Sequence, residues 1–474
     1  MKKITICLIA IVFISVIYIA KTYNMTNAKS VEFYGDKDFI NEISKKHSDV
    51  IVSNAIYVSP EGNDADNGTL DRPFKTIQKA LDIVKAGQTI YVREGSYSAL
   101  NTFSSSGRKG KYITLRNYPG EHPRLTMSNK DGAIISIDGN DYIIIEGLEI
   151  CDFTSAVAYG ILLDSDESHI IIRNNRIHDI CTTMPFENGE ANAILCYGEG
   201  RTEEAAINNI FIENNEIYNN VTGWCEALSI AGNAKYINIV NNTVHDNTNI
   251  GIDFYGNAGY CQVAALDQPR FCTAIGNTVY NSLCDYAECA GIYVDGARDI
   301  VVERNEVYSN MYGIEIGSEE LSPDFPVKNI VVRNNLVYDN PFGGIRVGGF
   351  DIEATGYVTD TQIYSNTLIN NGEGDGGWNG ELCFLKCDGI DVENNIVYKE
   401  SDVYPLIGGE FTEEYVRNVT FNQNTYYSPS GADEIYFEFK GEAIYGMNSF
   451  NSLTGGNDIF DKPVLSFESF GNEN

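Results

Sequence analysis

Asn174-Asn175-Arg176-Ile177-His178-Asp179 opens a phrase that returns down the chain as Asn214-Asn215-Glu216-Ile217-Tyr218-Asn219, Asn241-Asn242-Thr243-Val244-His245-Asp246 and Gly276-Asn277-Thr278-Val279-Tyr280-Asn281. It continues through Arg304-Asn305, Asn334-Asn335, Ser365-Asn366 and Asn394-Asn395 to Gln423-Asn424, with the second Asn recurring every 27 to 40 residues. Each unit reads as a short apolar alternating run (Ile170 to Ile172, Val301 to Val302), the Asn turn, a two-residue β pair, and a third strand centred on Gly-Ile. Strands this short, with polar turns and no helices between them, cannot bury a face alone and must stack on the next coil. The expected fold is therefore all-β, a parallel β-helix solenoid. Asn suits the turn because its side chain tolerates left-handed backbone and stacks amide on amide up the solenoid, so these residues are read as structural.

Working outward, Phe74 to Gly87 places Ile77, Ala80, Leu81 and Val84 on one helical face with Gly87 as a stop, a short N-terminal capping helix over the open end. The expected division is 1–21 membrane anchor or signal segment, 22–54 charged stalk, 55–425 β-helix with its N-terminal cap, and 426–474 terminal coil. Ile4 to Ala20 is an uncharged apolar run with Lys2 and Lys3 before it and Lys21 after it, which predicts export of the body to the cell surface or beyond. Tyr18 fits a cleavage site poorly, so anchor and signal peptide both stay open. A net charge of −33 argues against nucleic-acid binding, which needs clustered Lys and Arg. The same charge disfavours a polyanionic glycan unless a cation or a local basic strip assists. Ten cysteines lie outside the apolar run. Core packing is expected for Cys151, Cys196 and Cys225, and a loop disulfide for Cys261 with Cys272; Cys284 with Cys289 would also close a short loop.

The segments Ile56 to Thr69, Pro73 to Ala80 and Gly87-Gln-Thr-Ile-Tyr-Val-Arg-Glu-Gly-Ser-Tyr97 resemble the opening of secreted right-handed parallel β-helix proteins related to family nine polysaccharide lyases. The tail from Phe450 to Pro463 is similar to the closing coil of many such proteins. The resemblance implies a right-handed helix and polysaccharide chemistry, with a polysaccharide as the partner. Those lyases use a basic residue, usually Lys, and calcium held by an aspartate cluster. This chain departs from that pattern: it has no Asp-Asp pair, and Lys235 is the only lysine between Asp131 and Val327.

Laying the Gly-Ile strands in register stacks Ile161, Ile194, Leu228, Ile252, Ile292, Ile314 and Ile345. Period-two alternation then turns Leu162, Leu195, Ser229, Asp253, Tyr293, Glu315 and Arg346 outward, with Tyr197, Ala231, Tyr255 and Asp295 in the next outward row. Asp253, Asp295 and Glu315 are the candidate catalytic acids. Asp253 to Asp295, and Asp295 to Glu315, are each about 8 Å apart at the backbone, near the spacing of an inverting glycosidase. Tyr197, Tyr255 and Tyr293 are candidate sugar platforms, and Arg346 a group to hold a carboxylate or grip a substrate acid. Asp267 and Arg270 fall in the insertion Gly256 to Phe271, which with Ser318 to Val327 is expected to wall the site. Trp224 and Glu226 would extend it one coil upstream. His178 and His245 belong to the repeat.

Three function classes follow. Paired carboxylates favour glycoside hydrolysis. Uronate elimination or epimerisation is the alternative, with an arginine base (Arg270, Arg298 or Arg346) and calcium as cofactor on Asp253, Asp295 and Glu315. The third is non-catalytic glycan binding or a cell-surface structural role, since outward acids on an acidic chain are often only a solvated face.

Overall fold

The computed structural model describes residues 33–43, 51–128, 130–374, 379–409 and 412–462. The apolar run 4–20 lies outside them, and among the described residues no helix is long and apolar enough to cross a membrane. Three long parallel sheets run the length of the molecule, two of 13 strands and one of 11. One coil shows the path: Ser168–Arg173 in the first sheet, Arg176–Thr182 in the second, Glu190–Gly198 in the third. Inward residues of all three sheets fuse into one core from Ile56 to Phe450. The Gly-Ile stack is as the sequence predicts, since Ile161, Ile194, Leu228, Ile252, Ile292, Ile314 and Ile345 are register partners in turn and all fully buried.

The Asn turn divides its labour. The first residue of each pair takes the left-handed backbone (Asn174 φ 55°, Asn214 55°, Asn241 53°), and the second is buried and carries the ladder. Asn277 shows the pattern: its Oδ1 accepts from Asn242 N and Nδ2 at 2.9 and 3.1 Å, while its Nδ2 donates to Ile239 O and Asn305 Oδ1 at 3.0 Å. Ladder geometry thereby satisfies polar groups that the tight corner would otherwise strand in the core. His178, Tyr218, His245, Tyr280, Tyr308 and Tyr338 form a second, stacked ladder on the second sheet, with ring centroids 4.6–5.2 Å apart.

Both ends of the core are covered. The N-terminal helix Ile77–Leu81, capped by Thr76, is shorter than the sequence suggests, yet Ile77, Ala80, Leu81 and Val84 are all buried. At the other end, a hairpin of Tyr436–Phe439 with Glu442–Tyr445 and the helix Met447–Thr454 pack Phe437 and Phe450 over Tyr426. Within the segment expected to be a stalk, the helix Lys37–Ile43 places Phe39 against Phe211 and His169 on the first sheet.

The ten cysteines among the described residues are free. Cys272 faces the solenoid core, whereas Cys261 sits in a loop with its Sγ toward Gly200 O at 3.0 Å, so the expected Cys261–Cys272 disulfide does not form. Of the three cysteines assigned to the core, Cys196 is there. Cys151 is buried on the outer face under Arg124, and Cys225 is half-buried at a cleft over the third sheet.

Candidate active site

The third sheet carries the site on its outward face. Its strands place Asp253 opposite Tyr293, Tyr293 opposite Glu315, and Glu315 opposite Arg346, while Tyr255 faces Asp295 one step along. This is the register read from the sequence. Over it opens a cleft of about 930 Å³. A neighbouring hollow of about 370 Å³ shares Glu190, Cys225, Glu226 and Tyr260 with it, so the two form a continuous groove toward Tyr197.

Loops at both ends of the strands build the walls. On one side stand exposed Phe186 and Trp224, each edge-on to Tyr286 at 5.3 and 5.0 Å. On the other side Tyr260 meets Tyr197 and Tyr255 edge-on at 4.7 and 5.3 Å. Flat rings on both rims suit the apolar faces of sugar rings.

The expected site residues separate into three groups. Asp253, Asp295, Tyr255, Tyr293 and Arg346 line the main cleft, and Tyr197 lines its upstream extension. Glu315 does not reach the cleft. It is buried and bound by Arg346 Nε at 2.9 Å and by Nη2, while Arg346 Nη1 reaches Glu288 and the guanidinium lies 3.9 Å over the Tyr312 ring. Asp267 and Arg270 lie outside the cleft. Asp267 accepts from Gly259 N and Cys261 N at 2.6 and 2.8 Å and so shapes the 256–269 wall. Arg270 is buried against Glu203 and Asn233 at 2.7 and 3.0 Å. Through these bonds the two residues hold the scaffold.

Electrostatics distinguish the acids. Burial raises the Asp253 carboxyl well above the usual carboxylate range, and the charges of Glu226, Asp295 and Glu319 add to it. Its Oδ1 is buried without a hydrogen-bond partner, as is the hydroxyl of its register neighbour Tyr293. Asp295 is likewise raised, by burial first and then by Glu319, but its Oδ1 accepts the Glu319 N–H at 2.8 Å, which favours the ionised form. Burial pushes Glu226 up to about 7 against the opposing Ser229 hydroxyl. Glu319, exposed at the rim, is raised by burial of its carboxyl and by Glu315. Burial alone would lower the Arg346 guanidinium, but Glu315, Tyr312 and Glu288 outweigh it and hold it above its ordinary value. No lysine lines either hollow.

Nor do the acids converge as metal ligands. Among the described residues, three potential ligand atoms come within 4.8 Å of one another only at Glu149, Cys151 and His178, away from the cleft. Asp253, Asp295 and Glu315, the set considered for calcium, do not draw together, and Arg346 already neutralises Glu315.

The sequence does not single out Glu319, Tyr260, Tyr286, Glu288 and Phe186, which also line the cleft. They sit on loops, where no periodicity assigns an orientation, although the 256–271 and 318–327 insertions marked the wall carrying Tyr260 and Glu319.

Comparison with known proteins places this geometry in context. An uncharacterized protein, YwoF of Bacillus subtilis (strain 168), is 32% identical over 435 residues, covering 87% of this chain and 89% of that one. Pectate lyase PEL9 of Emericella nidulans is 32% identical over 140 residues, 25% of this chain and 33% of that protein. Pectate lyase L of Thermoclostridium stercorarium is 25% identical over 347 residues, 66% of this chain and 24% of that protein. The chain thus spans a third or less of either pectate lyase. XylC, solved with xylose, superposes with a TM-score of 0.52 over 78% of this chain and 83% of its own at 13% identity, which is a likeness of fold. Residues 56–371 match the family model described as Pel9A-like, right handed beta helix region, and the chain belongs to that family of β-helix proteins, whose relatives include pectate lyases.

Proposed function

We propose that this protein is a polysaccharide-degrading enzyme that hydrolyses glycosidic bonds, with Asp253 as general acid and Asp295 as general base. The observation that carries the reading is the contrast between two buried acids on adjacent coils. Burial raises both carboxyls well above the usual range, but Asp253 keeps an unpartnered Oδ1, whereas the Asp295 Oδ1 accepts the Glu319 N–H at 2.8 Å, which favours its charge over that of Asp253. A carboxyl kept protonated by burial is suited to give its proton to the glycosidic oxygen as the bond breaks. The held carboxylate then takes a proton from water attacking the opposite face of the sugar. Their diagonal placement on paired strands sets the backbones about 8 Å apart, which favours a water between them and inversion at the anomeric carbon.

The names of the two pectate lyase relatives favour a second reading, elimination from a uronate. It needs a basic side chain poised to lose its proton. Arg346, the one cation lining the cleft, is bound to two carboxylates and held above its ordinary value, the opposite of what a base requires. Work outside the cytoplasm, supported by the apolar run Ile4 to Ala20, is part of the proposal. The test is product analysis on neutral and uronic polysaccharides with and without a chelator. New reducing ends without unsaturated product support hydrolysis, while unsaturated product lost on chelation overturns it.

A further inference from the structure

General acid and base chemistry uses two carboxylates, yet seven line the main cleft: Glu187, Glu190, Glu226, Glu288 and Glu319 join Asp253 and Asp295. One cation faces them, Arg346, and Glu315 and Glu288 already bind it. Like charges gathered in a partly desolvated space repel, so the arrangement is unfavourable until a cation enters. Two kinds of ligand are disfavoured by this lining. A uronate adds negative charge, and no unclaimed cation lines the cleft to receive it. A single metal ion needs several oxygens brought together, and these carboxylates do not converge. What remains is a polar site with Asp253 Oδ1 and Tyr293 Oη buried and unpartnered on neighbouring strands, and with exposed aromatic rings at its mouth. A protonated sugar amine offers three hydrogen-bond donors and one positive charge, and its ring can lie against Trp224 or Tyr260.

We infer that the cleft selects glycans bearing unacylated amino sugars, with the ammonium held between Glu226 and Glu319 beside Asp253. The inference rests on the hydrolase reading only for the assignment of Asp253 and Asp295 to chemistry. Glu226 supplies the buried side of the cation site and Glu319 the solvent side, so the amine enters without full loss of its hydration.

Calorimetric titration of the whole protein with glucosamine and galactosamine oligosaccharides, each as the free amine and N-acetylated, tests it in buffer containing a chelator. The free amine of at least one sugar is expected to bind about tenfold tighter than its acetylated form, the scale of one charge-assisted hydrogen bond. That margin should shrink with added salt and narrow severalfold in Glu319→Gln, an exposed position where folding is not at issue. Equal affinity for the acetylated forms, or no binding of either kind, would each overturn the inference. The two readings fail separately. An amine preference in a protein whose Asp253→Asn variant cleaves normally overturns Asp253 as the general acid alone. Loss of cleavage in that variant without any amine preference sinks the substrate class alone.

Discussion

Glu226→Gln should stabilise the protein at neutral and alkaline pH and leave it nearly unchanged in mild acid. Glu226 is 8% exposed, and burial moves its carboxyl from an ordinary 4.5 to about 7. A folded-state pKa above the unfolded one means that the fold prefers the protonated acid. The stability this group contributes is then fully present below about pH 4.5 and lost as pH rises through about 7. At 1.36 kcal/mol per pH unit the loss approaches ~3 kcal/mol, with ~2 kcal/mol a fairer expectation because neighbouring acids share the relief. Glutamine keeps the shape and removes the ionisation. Chemical denaturation of both proteins at pH 4 and pH 8 should therefore show curves that nearly coincide at the lower pH, with the variant more resistant at the higher. A pH-independent difference, or a variant weaker at pH 8, would refute the claim that this carboxylate is held in the cleft against its own solvation.

Other consequences follow from the same geometry. Asn277→Ala strands Asn242 N and Nδ2 in the core and removes the side-chain donor to Ile239 O and Asn305 Oδ1, the latter keeping only the Asn277 backbone N–H, and should cost about 3–5 kcal/mol, read as a shift in the denaturation midpoint. Arg346→Met leaves Glu315 buried and unpaired and should cost about 3–5 kcal/mol, most of it recovered on adding Glu315→Gln in a double-mutant cycle. Trp224→Ala, at a residue 52% exposed, should change stability by less than about 0.5 kcal/mol while raising KM for polysaccharide several-fold, checked by steady-state kinetics.

Much of this architecture could be read from the chain because a solenoid repeats its reasons. The Asn phrase recurs at nine successive coils from Asn175 to Asn424, so the corner, the ladder and the register of the third sheet there follow from one pattern, and with them the outward faces of Asp253, Tyr293, Glu315 and Arg346. The pairing of Glu315 with Arg346 was within reach too, since opposite charges in register on adjacent parallel strands meet. What period-two logic does not convey is depth: Asp253 and Glu315 share a row, yet one opens into the cleft and the other is covered and neutralised.

Loops escape the pattern for a different reason. Asp267 and Arg270 were placed in the cleft because they ride on an insertion, but a long loop must first satisfy its own backbone, and Asp267 is spent on Gly259 and Cys261. Glu319, on the companion insertion, does reach the site, through a backbone N–H that no sequence motif marks. Cys261 and Cys272 are close in sequence, but Cys272 lies within the strand Arg270–Ile275 facing the core, and proximity along the chain does not turn a side chain around.

The most direct test is cleavage by the native protein and by Asp253→Asn on a panel of polysaccharides, scoring reducing ends and unsaturated products together. The account predicts reducing ends alone from the native protein and a loss of at least about a hundredfold in the variant, the scale of a general acid. A variant as active as the native protein, or unsaturated product from either, would contradict it.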